Sequence, residues 1–293
     1  PGDAAAAAAT AAWYGGGYGW EYYPGYTPAY PLRDYAAEKP QAYQAFLGYV
    51  RSGAEGAEVA LSDGMCQDKH VGDLLLCLES WLYRECGPPA VSGRPWRLGR
   101  LDLARNSLTD ENVARVLERL KQLDLRIRRL ILDSNGAGPK TMTALVEYVW
   151  SSPEALVEIG LADNALRVDA QAADGDGDGG DPVSSLLRCL YNHSSYPLKT
   201  YAEGAGPSGA QRSVKVSPLL LRFGDNYIAD GDRLVKRILD RGGSKHVIFC
   251  DGPEPYISES GEEFLAVCLQ GFGRQRVAQP ADATAVAAAA PPG

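Results

Sequence analysis

A short phrase of apolar and polar positions recurs along the chain. Leucine, one residue, leucine, two residues, asparagine runs through Leu101-Asp102-Leu103-Ala104-Arg105-Asn106 and through Leu130-Ile131-Leu132-Asp133-Ser134-Asn135. It returns as Ile159-Gly160-Leu161-Ala162-Asp163-Asn164, so the asparagines stand 29 residues apart, twice running. A fixed period of this length predicts a solenoid of strand-plus-helix units. Val59-Ala60-Leu61-Ser62-Asp63-Gly64 is another copy, with Gly64 in the asparagine position. Leu221-Arg222-Phe223-Gly224-Asp225-Asn226 is a fifth, and Val247-Ile248-Phe249-Cys250-Asp251-Gly252 a degenerate sixth. Behind three of these phrases, apolar residues fall at the same offsets: Val71, Leu75 and Leu78; Val113, Leu117 and Leu120; Met142, Val146 and Val149. Steps of four and three residues place each trio on one face of a helix. Asp68 and Asp110 precede two of these helices at matching positions, where an acidic residue suits a helix start.

Parallel strands are therefore expected near Leu61, Leu103, Leu132, Leu161, Leu221 and Phe249. Two spacings exceed the period. Between Gly64 and Asn106 the excess is the loop-like run 86–95; between Asn164 and Asn226 it reads as one repeat with a large insertion. Asp181-Pro182 then starts a helix over Val183 to Leu190. Another helix is expected from Gly231 to Asp240, ended by Gly242-Gly243, and Glu262 to Leu269 reads as a closing helix. Residues 1–38 carry seven tyrosines among Gly, Pro and Ala, with no Leu, Ile or Val before Leu32. Such a stretch has too little aliphatic surface to offset chain entropy and reads as a disordered tail. The Ala/Pro-rich run 272–293 reads the same way. The domain between them is 39–271, with inserted loops near 85–97, 169–182 and 192–216.

The spacing Leu98, Leu101, Leu103, Asn106, Leu108 resembles the leucine-rich repeat family, and the 29-residue period with a long helix resembles its ribonuclease-inhibitor-like subfamily. The resemblance covers roughly 56–255. It implies an α/β horseshoe, with parallel strands on the concave face and helices on the convex face. It also implies a buried ladder of Asn106, Asn135, Asn164 and Asn226, from which Gly64 and Gly252 depart. Alternate residues of a strand face opposite sides. One concave column is then Glu58, Arg100, Arg129, Glu158, Leu220 and His246. The next is Ala60, Asp102, Ile131, Gly160, Arg222 and Ile248, and a third is Ser62, Ala104, Asp133, Ala162, Gly224 and Cys250. Before the ladder position stand Asp63, Arg105, Ser134, Asp163, Asp225 and Asp251. That acidic rim reads either as turn chemistry at the strand exits or as a strip for a basic partner.

Composition narrows the function. A net charge of −8 gives no overall attraction to nucleic acid or anionic membrane. No apolar run of 18 residues predicts a membrane span. Six cysteines form no CxxC pair, which favours reduced thiols and a cytoplasmic or nuclear setting. The chain opens on Pro1, so it reads as a piece of a longer protein, and an upstream targeting signal stays open. Cys66 and His70 have metal-ligand spacing without a second pair nearby. Asp174 to Gly179 looks like the start of a calcium loop, but Ser185 stands where the closing Glu is needed. No nucleophile elbow or phosphate loop is present. The expectation is a non-enzymatic scaffold without cofactor or metal, binding a protein partner through Arg100, Asp102, Arg129, Asp133, Asp163, Arg222 and Asp225. One alternative is a small-GTPase regulator like the Ran GTPase-activating proteins, with Arg100, Arg105 or Arg129 as its arginine. The other is an RNA-associated protein acting through the tyrosine-rich tail.

Overall fold

The computed structural model describes residues 34–88, 95–168, 182–196, 198–201, 214–228, 246–250, 256–258 and 264–270. The acidic loop around Asp174, the helix expected over 231–240, Asp251 and Gly252 lie outside them, as do both tails short of residue 34 and beyond 270.

The fold is mixed α/β with a mostly parallel sheet. Strands β1 (Val50–Gly53), β2 (Gly56–Ala60), β3 (Arg97–Asp102), β4 (Arg126–Ile131) and β5 (Glu158–Gly160) lie side by side in chain order. Strand β9 (Leu219–Arg222) follows β5, and β13 (Phe264–Gln270) and β11 (His246–Cys250) complete the eight-stranded sheet, while β6 (Arg167–Val168) and β10 (Tyr227–Ile228) pair in parallel as a separate two-stranded sheet. Only the β1–β2 pair in this sheet is antiparallel. Helices α3 (Val71–Cys86), α4 (Asp110–Gln122), α5 (Pro139–Ser151) and α6 (Pro182–Asn192) alternate with the strands and pack on one another in sequence. Two short helices, α1 (Tyr35–Glu38) and α2 (Pro40–Leu47), pack on α3.

Local chemistry accounts for these elements. The helix trios are buried as their spacing predicts, except Val146, which is half-buried. Val59, Leu101, Leu130, Ile159 and Leu221 are opposed in register and almost fully buried, and Leu103, Leu132 and Leu161 share the same core. Thr109 caps α4 by accepting from the Asn112 amide at 3.4 Å, and Pro139 occupies the first turn of α5, where its missing N–H costs nothing.

Helix starts are also tied across units. The Asp68 carboxylate accepts from the Thr109 amide at 3.0 Å. Asp110 accepts from the amides of Gly138, Lys140 and Thr141 at 2.8, 3.0 and 2.8 Å. Each carboxylate thus serves the helix of the following unit. Burial works against the charged form of Asp110, and these hydrogen bonds outweigh it, holding its pKa below the ordinary carboxylate range.

The asparagine ladder has the geometry its positions predict. Asn135 Nδ2 donates to the carbonyls of Leu103 and Leu132, and its Oδ1 accepts from the Leu108 amide. Asn164 and Asn226 repeat the arrangement one unit further on, and Asn106 donates to Leu61 and Leu103. Buried amides are satisfied internally, so these residues hold units together.

Four expectations change. The closing helix over Glu262–Leu269 is instead β13, inserted between β9 and β11. Its run Phe-Leu-Ala-Val-Cys-Leu is apolar at every position, which suits a strand covered on both faces as well as a helix. Leu220 is therefore opposed by Cys268 rather than His246, and Arg222 by Gln270 rather than Ile248. The tail boundary at 38 falls too late, because Tyr35 is buried and its hydroxyl donates to Asp73 at 2.5 Å. The loop expected over 192–216 contains β7 (Leu198–Tyr201) and the start of β8 (Val214–Ser217), which form an antiparallel sheet with β12 (Tyr256–Ser258). β5 pairs directly with β9, so among the described residues no further strand of this sheet stands between the segments that hold Asn164 and Asn226.

Candidate functional site

The site is the sheet face that carries the residues between the leucines. The register brings together the expected columns as far as β9. Glu58, Arg100, Arg129, Glu158 and Leu220 are direct neighbours, as are Ala60, Asp102, Ile131, Gly160 and Arg222.

The charges on this face are interleaved, not divided into an acidic edge facing a basic one. Glu55, in the β1–β2 turn, contacts Arg128 Nε at 3.3 Å and Arg129 Nε at 2.9 Å. Arg129 reaches Glu158 at 3.3 Å, Arg222 contacts Glu158 at 3.2 Å, and Arg222 meets Asp133 at 2.9 Å. These contacts make a continuous chain from Glu55 to Asp133. Arg100 pairs with Asp102 at 2.6 Å.

Asp102 and Asp133, expected among the partner-binding residues, are largely buried on this face. Their side chains are only 12% and 16% exposed. Asp102 Oδ1 accepts from the Ala104 amide at the exit of its own strand, at 3.0 Å, and Asp133 Oδ1 from the Ala162 amide just beyond the neighbouring β5, at 2.9 Å. Burial raises the Asp133 pKa above the ordinary carboxylate value, against the lowering effect of Arg222 and the Ala162 N–H.

Gly160 makes the Arg222–Asp133 pair possible. A Cβ at Gly160 would stand 2.6 Å from Asp133 Oδ1 and 2.7 Å from Arg222 Nη2. The missing side chain lets Arg222 pass over β5. Sequence reasoning placed Gly160 and Glu158 in the columns but not in the site, and missed Glu55, which sits outside the repeat phrase. A small residue flanked in register by opposite charges was the available signal for Gly160.

At the rim, Asp63, Arg105, Ser134, Asp163 and Asp225 all have left-handed backbone, with φ between 52° and 66°. Asp tolerates this conformation better than most residues because its short side chain bonds locally. The aspartates before the ladder are thus explained by the strand exit. Asp225 is exposed, Asp163 is half-buried, and Asp63 pairs with Arg105 at 2.5 Å.

Asp102, Asp133 and Glu158 are engaged on this face, while Glu58, half-buried at the head of its row, makes no ion pair among the described residues. Arg100 Nε and Arg222 Nε are buried and make no hydrogen bond among the described residues. A second charged cleft, lined by Arg97, Arg126, Arg128, Glu55, Glu154 and Leu98, opens at the other ends of the strands. There Glu154 bridges Arg97 and Arg126.

His70 Nδ1 accepts from the Gln67 amide at 3.3 Å, a local turn contact. Burial pushes the thiols of Cys66, Cys77 and Cys189 up to about 11, so they stay protonated at neutral pH. No helix among the described residues is long and apolar enough to cross a membrane. Neither a scan of protein-family models nor a search of curated proteins returned a match to this chain.

Proposed function

We propose that the chain is a non-catalytic scaffold of the leucine-rich repeat kind, a horseshoe whose concave sheet face seats a protein partner. The observation that carries this reading is the register. Five parallel strands present Glu58, Arg100, Arg129, Glu158 and Leu220 as one row and Ala60, Asp102, Ile131, Gly160 and Arg222 as the next. Rows on paired strands are rigid, so binding to them orders little that was loose. The 29-residue period and the asparagine ladder support the family assignment.

The pairing pattern refines the partner. With Asp102, Asp133 and Glu158 engaged, the cationic side chains of these rows that a partner can reach are Arg129 and Arg100, 42% and 39% exposed, and they suit a partner that brings carboxylate or carbonyl acceptors. A basic segment would rely on the rim, where Asp225 is exposed. The GTPase-regulator alternative gains no support, because Arg100, Arg105 and Arg129 each pair with a carboxylate of the chain itself.

The full chain, immobilised and probed with cell extract, gives the partner by mass spectrometry. Its affinity is then measured for Arg100→Gln, for Asp163→Lys with Asp225→Lys, and for a chain lacking residues 1–33. The expected result is a loss of about tenfold or more in Arg100→Gln, the size of an interface residue that matters. Unchanged affinity in both charge variants, with binding abolished by removal of 1–33, would overturn the proposal in favour of the tyrosine-rich segment.

A further inference from the structure

Strand β13 enters the sheet out of chain order, and its register with β11 opposes Cys268 directly to Cys250. We propose that these two residues form a redox-sensitive thiol pair, joined by a disulfide under oxidising conditions, that ties the inserted strand to its neighbour.

The geometry is that of the ladder. Directly opposed residues of a parallel pair share a face of the sheet, and adjacent strands lie about 4.7–4.9 Å apart. A disulfide spans Cα separations of about 4.4–6.8 Å. Among the described residues no other two cysteines oppose each other in a strand pair: Cys66 lies in the loop after β2, Cys77 and Cys86 on α3, and Cys189 on α6. Cys268 is fully buried, but β11 is the last strand in the sheet order, so parting β11 from β13 opens the pair without disturbing the repeat core.

The reaction balances with a disulfide oxidant such as oxidised glutathione. One cysteine thiolate attacks a glutathione sulfur, forms a mixed disulfide and releases one reduced glutathione. The second cysteine thiolate attacks the protein sulfur of that mixed disulfide and releases the other. The two thiol protons and two electrons pass to the glutathiones, and one S–S bond forms in the protein.

The bond would hold β13 between β9 and β11. It would limit the conformations of the unfolded segment between the two cysteines, and so stabilise this end of the sheet.

The sequence suits a direct test. No Lys or Arg lies between Lys245 and Arg274, so trypsin leaves both cysteines on one peptide, 246–274. Cleavage after glutamate then separates them at Glu259, Glu262 or Glu263. The full chain is reduced, exchanged into oxidised glutathione, alkylated and digested without reductant, once folded and once in urea. In the folded protein, peptide 246–274 should lose the mass of two hydrogens, and its two halves should stay linked after the second cleavage. Cys250→Ser and, separately, Cys268→Ser should each abolish that signal, and the oxidised wild-type chain should show a higher thermal midpoint than the reduced one. The idea is overturned if the peptide carries only glutathione adducts, if either cysteine links instead to Cys66, Cys77, Cys86 or Cys189, or if the 250–268 link forms no faster in the folded chain than in urea.

Discussion

Five strand exits, at Asp63, Arg105, Ser134, Asp163 and Asp225, use left-handed backbone without a glycine. For an L-residue that conformation costs about 1–2 kcal/mol, less where a short polar side chain bonds locally. Glycine would relieve the strain but lose about 0.5–1 kcal/mol to greater freedom in the unfolded chain. Ser134→Gly should therefore leave stability nearly unchanged. Ser134→Val, which adds β-branching at φ 55°, should lower it by about 1–2 kcal/mol in a denaturant titration. Equal stability of the two variants would show that the exit is not strained. Asp110 has a different signature. Its folded-state pKa is depressed, so its stabilisation is present above the ordinary carboxylate pKa and is lost as pH falls through the depressed value. Asp110→Asn should be less stable than wild type at about pH 7, and the gap should close as the pH falls through the depressed folded-state value, where the wild-type carboxyl takes up its proton. A gap that stays constant with pH would assign the effect to shape and not to charge.

Among the elements, strands in regular order could be read from the chain because each carries its own leucines, and the 29-residue period sets their register. Arg100, Arg129 and Glu158 are neighbours for that reason alone. Strand β13 could not be read this way. Its apolar run has neither the two-residue nor the four-and-three spacing, and no local signal says that a strand will slip between two earlier ones. The ion pairs were equally hidden, since they depend on rotamers, on the space above Gly160 and on a turn residue, Glu55. Within the regular strands, Leu132 follows β4 and is fully buried between Leu103 and Leu161 of the adjoining units. Leu132→Ala should cost about 2–5 kcal/mol through lost transfer energy and a cavity. Hydrogen exchange should quicken in β3 and β5 as well as in β4. A cost under about 0.5 kcal/mol would be that of a surface residue.

For the molecule as a whole, the chain from Glu55 to Asp133 links the β1–β2 turn with β4, β5 and the strand exits, with a bridge to β9 through Arg222. Its members are partly buried, so removing one leaves a neighbour's charge uncompensated. The face proposed for the partner is thus part of the fold's own electrostatics. A partner must use what the arginines leave open or compete with contacts already made. That is why a single substitution at Arg100, whose acid partner Asp102 keeps its bond to the Ala104 amide, probes binding more cleanly than one at Arg222.

The carboxylates of Asp68 and Asp110 have a consequence for how such a chain can be rearranged. Each is placed in one unit and completes the helix start of the next. A cut made at the obvious boundary, between a helix and the following strand, would separate a helix from the residue that finishes it. The exchangeable module runs instead from just after one such aspartate through the next, with one unit's end overlapping its successor's beginning. Copying a unit by that rule carries its cap along, whereas copying by visible secondary structure leaves one helix start unmet and one carboxylate without its amides.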